Sequence, residues 1–222
     1  MQRVLLRYLA YALIVFGVMV ALLVQADRAA PGLGFNTTVA AVDAPTSELS
    51  PVELLQHVLL LIAVALFAFV AWHDQLRRPM AVTLSLGLLA CFIRELDFFL
   101  DFYVIDNLWQ VLCGAVVAFA LVYGVRHRVG LIRGWRRSWP SVGLAMLMAG
   151  FILLVPFAQL VGHEALWRAI LADDYMRIVK VVAEEFVELG AYLLIVIGAA
   201  EFVYAWSRLP RRRAPRAAPH RD

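Results

Sequence analysis

Long apolar runs separated by short polar connections make up most of this chain. The runs cover residues 4–24, 52–72, 80–100, 108–125, 142–161 and 178–205. A helix of about 20 apolar residues, rising 1.5 Å per residue, crosses the roughly 30 Å hydrocarbon core of a bilayer. Each run must satisfy its own backbone hydrogen bonds, because unpaired N–H and C=O groups are costly in lipid. The pattern therefore predicts an all-α fold: a polytopic membrane helical bundle with six transmembrane helices.

Composition agrees with a membrane chain and excludes nucleic acid as a partner. Hydrophobic residues make up 63% of the 222 positions, and the mean hydropathy is +0.79. Both figures exceed those of ordinary soluble domains. The net charge is +3, but the basic residues flank apolar runs, as membrane topology requires. The lipid bilayer is thus the expected partner, and oligomeric state is left open.

The distribution of charge predicts an orientation. Most of the 20 Lys and Arg residues lie in the connections on one side of the six runs, and most of the 17 acidic residues lie on the other. Positive charge collects on the cytoplasmic side of membrane proteins. Both termini are therefore expected in the cytoplasm of a bacterial-type inner (plasma) membrane, and the acidic side is expected to face the periplasm.

The first run allows two interpretations. Arg3 and Arg7 before an apolar stretch also resemble a secretory signal, which would leave five spans if it were cleaved. Residues 1–24 are accordingly expected to form a first transmembrane helix or uncleaved signal anchor. An external loop follows at 25–51, then a five-helix membrane core at 52–206 and a disordered basic cytoplasmic tail at 207–222.

Polar residues recur at helical spacing near the acidic side. Glu53 and His57 are four residues apart, and His163 follows the fifth run. In the third run, Arg94, Asp97 and Asp101 would share one face of a continuous helix. In the last run, the residues Lys180, Glu184 and Glu188 are successive i, i+4 positions. Charged groups at membrane depth face the bundle interior or a wet cavity, so these stripes are expected to converge.

So many converging carboxylates require protons or a cation. Imidazole with carboxylate suits Zn or Mn, and carboxylate with water suits Mg or Ca, so a divalent metal cation is predicted. The predicted catalytic residues are Glu184, Glu188 and Asp97. The predicted substrate-binding residues are Arg94 and Lys180. The predicted metal ligands are His57, His163, Glu53 and Glu188.

Structural roles compete with these assignments. Arg94 would also serve as a buried ion-pair partner of Asp97 or Asp101. A membrane histidine is often a hydrogen-bonding residue between helices. Glu164 and several other acids have the positions of solvated interface residues. The sequence leaves these alternatives open.

Three functions remain compatible with the pattern. Apart from Arg7 near the start of the first run, Glu201 is the only charge in the cytoplasmic halves of the runs, which favours a one-sided site over conduction. The first function is a metal-dependent membrane enzyme, such as a hydrolase, that acts on a lipid or lipid-linked substrate. The second is a cation- or proton-coupled transporter, and the third is a non-catalytic membrane subunit or sensor. A lipid or a small cationic ligand is the expected binding partner of the site.

Overall fold

The computed structural model describes residues 2–28 and 51–207, and within these ranges the chain is helical without strands. The predicted external loop and basic tail lie almost wholly outside the described residues. The α-helices are α1 (Gln2–Arg28), α2 (Pro51–His73), α3 (Arg78–Glu95), α4 (Asp97–Tyr103), α5 (Leu108–Arg126), α6 (Arg128–Ser138), α7 (Val142–Ile152), α8 (Ala158–Val161), α9 (Glu164–Leu171) and α10 (Arg177–Ser207).

Five segments of the described chain are long and apolar enough to cross a membrane. They are Leu5–Leu22, Val52–His73, Leu108–Arg126, Val142–Val161 and Val179–Ser207. The bent pair α3–α4 makes a sixth if its two helices count as one span. The all-helical architecture is thus confirmed, with five or six candidate spans. The orientation of the termini stays a prediction.

The third predicted span is broken at Leu96. Helix α3 ends at Glu95, α4 begins at Asp97, and the two helices are bent by 54°. At the break, the Asp97 carboxylate accepts the N–H of Phe98 at 2.7 Å, a local bond that competes with regular helix geometry. The prediction that Arg94, Asp97 and Asp101 share one continuous stripe is therefore wrong. Arg94 lies on α3, and the two aspartates lie on α4.

Helix α10 is the centre of the bundle. It packs against α7 on one side and α2 on another, whereas α3 packs between α2 and α5. Within the candidate spans, 61% of α10 is buried, compared with 6% of α5. Helices α7 and α10 approach closely through glycine: a Cβ on Gly198 would lie 2.9 Å from the Gly143 carbonyl oxygen. Small residues at such crossings let membrane helices pack through their backbones.

The fifth span changes its helical form near its end. Helix α7 continues into a π-helical segment, Leu153–Phe157, which contains Pro156 and leads into α8. Proline cannot donate a backbone hydrogen bond, so the regular ladder is interrupted there. The chain then turns through His163 into the short helix α9, and this corner lies beside the first turns of α10.

Candidate functional site

An ion-pair and hydrogen-bond network joins α3 to α10. We call the region around it the acidic end. The hydroxyl of Tyr192, whose side chain is 1% exposed, donates to Glu95 Oε1 at 2.9 Å. Arg94 Nη2 lies 3.0 Å from the same oxygen and 3.6 Å from Glu188 Oε1. Two carboxylates from different helices thus share one guanidinium.

This network changes the interpretation of Arg94. The structure pairs Arg94 with Glu95 and Glu188, rather than with Asp97 or Asp101 as the sequence suggested. Glu188 is buried, and a buried carboxylate needs a charged or hydrogen-bonding partner. The Arg94 side chain is still 48% exposed, so part of its guanidinium is accessible to a ligand. Its structural role and its predicted substrate-binding role are therefore compatible.

Helix α2 contacts α10 and α3 at the acidic end through Gln56 and His57. Gln56, which is buried, donates its amide to the Glu185 carbonyl oxygen of α10 at 3.0 Å. His57 Nε2 lies 3.1 Å from the Glu95 carbonyl oxygen of α3. Because a carbonyl only accepts, Nε2 must carry a proton, and in the neutral ring the lone pair is then on Nδ1. A histidine fixed in this way can act as a metal ligand or as a base.

Two cavities meet at His57 and Glu95. The first, which we call the acidic crevice, has a volume of about 130 Å³. The second, which we call the apolar groove, has a volume of about 370 Å³ and runs between α2 and the α3–α4 bend. The crevice is lined by Glu53, His57, Arg94, Glu95 and Asp97. The groove is lined by Leu54, His57, Val58, Leu61, Phe92, Glu95, Leu96, Phe98, Phe99 and Tyr103.

The α3–α4 bend gives the crevice and the groove their shape. By redirecting the chain at Leu96, it turns Phe98 and Phe99 towards the groove and places Asp97 at the crevice. Asp101, one turn further along α4, accepts a hydrogen bond from Trp109 Nε1 of α5 at 3.1 Å. Side chains of both neighbouring helices thus contact the bend: His57 of α2 at Glu95 and Trp109 of α5 at Asp101.

Lys180, Glu184 and His163 occupy a second region of the acidic end. Lys180 Nζ lies 3.5 Å from Glu184 Oε2, as their four-residue spacing predicts. The Glu184 carboxylate lies so close to Gly162 that a Cβ at that position would overlap it. None of these residues lines the acidic crevice. The structure therefore divides the predicted site: Glu53, His57, Arg94 and Asp97 share the crevice, and Glu184 lies beside the turn that carries His163.

The metal prediction has no ready-made ligand set in the described part of the chain. No group of three or more His, Cys, Asp or Glu side chains there has the arrangement of a metal site. The predicted ligands His57, His163, Glu53 and Glu188 are distributed over the regions described above. The three carboxylates and the imidazole that line the crevice are still groups of the ligand type. The metal assignment stays a prediction.

Glu164 behaves as a solvated residue. Its Oε1 accepts a hydrogen bond from Arg168 Nε at 2.6 Å within α9, and more than half of each side chain is exposed. The hydrogen bond and the positive charge of Arg168 lower the pKa of Glu164. The interface interpretation of this residue therefore fits the structure.

Tyr192 and Glu95 have a larger role than their positions in the sequence indicated. Tyr192 continues the four-residue series of Lys180, Glu184 and Glu188, and this spacing is the signal that could have identified it. Glu95 points away from the Arg94 face of an ideal helix, but the break at Leu96 places its carbonyl against His57.

Comparison with known proteins gives this site no counterpart. No family model, curated protein or solved structure matches the chain. The chemistry of the site is therefore argued from its own side chains.

Proposed function

We propose that this chain is a multi-pass inner-membrane protein that binds a lipid or lipid-linked molecule at its acidic end. The apolar groove would hold the hydrocarbon chain and the acidic crevice would hold the polar head. In this proposal the protein acts on that head as a metal-dependent enzyme. The observation that carries the proposal is the pair of adjoining cavities, which share His57 and Glu95.

The groove has the properties that a hydrocarbon chain requires. Its volume of about 370 Å³ lies within the range of ligand pockets. Leu54, Phe99 and Tyr103 on its walls are each more than half exposed, so the groove opens at the surface of the bundle. In a bilayer, that surface meets lipid, and a chain can enter from the side without crossing water.

The charge of the crevice favours a divalent cation. Three carboxylates line it against the single guanidinium of Arg94. The formal charge of this lining is therefore negative, and a negative lining attracts a cation. If the crevice residues held a divalent cation, it would offset that charge and would supply an activated water and a Lewis acid for an ester or phosphoryl group. Glu53, Asp97 and His57 would be its ligands or the base, and Arg94 would contact an anionic head group.

The first experiment measures metal content. Purified protein is analysed for Zn, Mn, Mg and Ca beside two variants, His57→Ala and His73→Ala. His73 lies at the opposite end of α2 and serves as the matched control. We expect bound metal in the parent and in His73→Ala, and a loss of at least half of it in His57→Ala. If the parent protein holds no metal at any physiological concentration, the metal-dependent mechanism fails.

The second experiment distinguishes a metal-dependent site for an anionic head group from a site that binds a cationic ligand directly. Binding of a long-chain alkyl phosphate is compared with that of a long-chain alkylamine, each with and without Mn²⁺. A metal-dependent enzyme should bind the phosphate when Mn²⁺ is present. Metal-free binding of the amine alone would instead indicate that the carboxylates recognise a cationic ligand.

A coupled transporter is the second candidate function, and one observation weighs against it. Further along α10 the next carboxylate, Glu201, is engaged by Arg7 and Tyr11, so it is not a free relay group. Flux measurements in proteoliposomes test this candidate directly. A proton or cation flux that Glu188→Gln abolishes would favour the transporter over the enzyme.

A further inference from the structure

Helix α1 contacts the bundle along a single seam. Among the described side chains of α1, the buried and half-buried ones recur every three or four residues. They are Arg7, Tyr11, Val15, Val18, Met19 and Leu22. At 100° per residue, these positions lie within an arc of about 120° on the helix. Leu22 belongs to the core cluster, and Val15, Val18 and Met19 pack against it.

The other faces of α1 are open. Leu6, Leu9, Leu13 and Phe16 are each more than half exposed. The helix is apolar all round, so its hydropathy gives no indication of which side faces protein. The burial of its side chains shows which side contacts the bundle. A leader that is removed has no need of such a contact.

A charged contact fixes one end of the seam. Arg7 Nη1 lies 3.0 Å from each of the two Glu201 carboxylate oxygens on α10. The Tyr11 hydroxyl donates to the same carboxylate, and the Arg7 guanidinium stacks 4.5 Å from the centre of the Tyr204 ring. We call this set the latch.

Glu201 depends on α1 for charge compensation. It is 6% exposed and lies in the candidate span of α10, against α7 at Gly143. Ionisable groups at membrane depth pair with one another, and removing one partner of a buried pair leaves an uncompensated charge. Cleavage of α1 would take away both Arg7 and Tyr11. The charge of Arg7 is therefore explained by a specific contact as well as by topology.

We propose that α1 stays in the mature protein as a transmembrane helix docked on α10 through the latch, and that it is not removed as a secretory signal. Two features of α1 resemble a signal. Its positive charge at Arg7 belongs to the latch, and its apolar run carries the seam. The inference is independent of the proposed function, because the latch and the acidic crevice share no residue.

Intact mass decides whether α1 is retained. The full chain, with a tag after residue 222, is expressed in a bacterial host, purified from the membrane and weighed by mass spectrometry. The expected mass includes residues 2–28. A protein that begins near residue 27 would overturn the proposal.

Thermal unfolding in detergent then tests the latch. Arg7→Gln should lower the unfolding midpoint by about 5 °C or more, because it leaves Glu201 without its cation. The double variant Arg7→Gln/Glu201→Gln should recover at least half of that loss. Arg126→Gln, which removes an exposed arginine at the end of α5, is the matched control and should leave the midpoint unchanged. Equal midpoints for Arg7→Gln and Arg126→Gln would refute the latch.

Discussion

Replacing Tyr192 by Phe removes one hydroxyl from the centre of the acidic end. The Tyr192 ring is 1% exposed, and its hydroxyl donates to Glu95 Oε1 at 2.9 Å. The substitution keeps the ring and leaves a space of only one oxygen atom. Its cost therefore reports mainly the lost hydrogen bond.

The size of the effect follows from the acceptor. A hydrogen bond to a charged group contributes about 1.5–3 kcal/mol to stability, compared with about 1 kcal/mol between neutral partners. Arg94 still contacts Glu95 at 3.0 Å, so the carboxylate keeps one partner and the lower half of that range applies. We expect Tyr192→Phe to reduce the free energy of unfolding by about 1.5–2 kcal/mol.

Chemical denaturation in mixed micelles measures this change, with Tyr8→Phe as the control. Tyr8 is 40% exposed on α1, so loss of its hydroxyl should have no effect. The double variant Tyr192→Phe/Glu95→Gln provides the decisive comparison, because Tyr192→Phe should cost only about 1 kcal/mol once the acceptor at position 95 is neutral. If Tyr192→Phe costs the same in both backgrounds, the hydroxyl stabilises the protein by another route and the network is misassigned.

Three further variants test separate parts of the structure. Val58→Trp fills the apolar groove, so it should weaken binding of the long-chain alkyl phosphate at least tenfold without lowering the thermal midpoint. The same change at Leu112, which is exposed on α5 and does not line the groove, should not affect binding. Gly150→Ala should destabilise the protein by about 1–3 kcal/mol, because its Cβ would overlap atoms of α10. Gly124→Ala, where there is open space, should be neutral or slightly stabilising in the same denaturation assay. The lowered pKa of Glu164 means that its ion pair stabilises the folded state above the ordinary pKa and is lost as pH falls through the lowered value. Because this pair is exposed and screened by salt, Glu164→Gln should leave the midpoint at pH 7 in about 1 M salt unchanged, and a large shift would contradict its solvated position.

The helices could be predicted from the sequence because the bilayer sets their length. Each apolar run had to satisfy its own backbone, so the run itself defined the helix. The break at Leu96 is different, because the charged residues that flank it, Arg94, Glu95 and Asp97, do not by themselves indicate a bend. It depends on a local bond to the Asp97 carboxylate and on packing of α4 against α5, and neither has a periodic signature.

The clustering of polar residues at one end of the bundle could be predicted from the sequence, but their contacts could not be assigned. Helical spacing correctly brought Glu53 and His57 to one end with Arg94, because antiparallel neighbours place these termini together. Spacing within one helix carries no information on contacts between helices. For this reason the sequence offers only aspartates on its own run as partners for Arg94, whereas the structure pairs it with Glu188 on α10.

Photocrosslinking tests the central claim of the account most directly. A long-chain alkyl phosphate with a photoreactive group in its chain is irradiated with the full-length protein in lipid nanodiscs and Mn²⁺, and the adducts are mapped by mass spectrometry. We predict that they concentrate on Phe92, Phe98 and Phe99 in the groove, and that Val58→Trp removes them. Adducts spread evenly over the lipid-facing surfaces of α1 and α5, unchanged by Val58→Trp, would contradict a lipid-binding site at the acidic end.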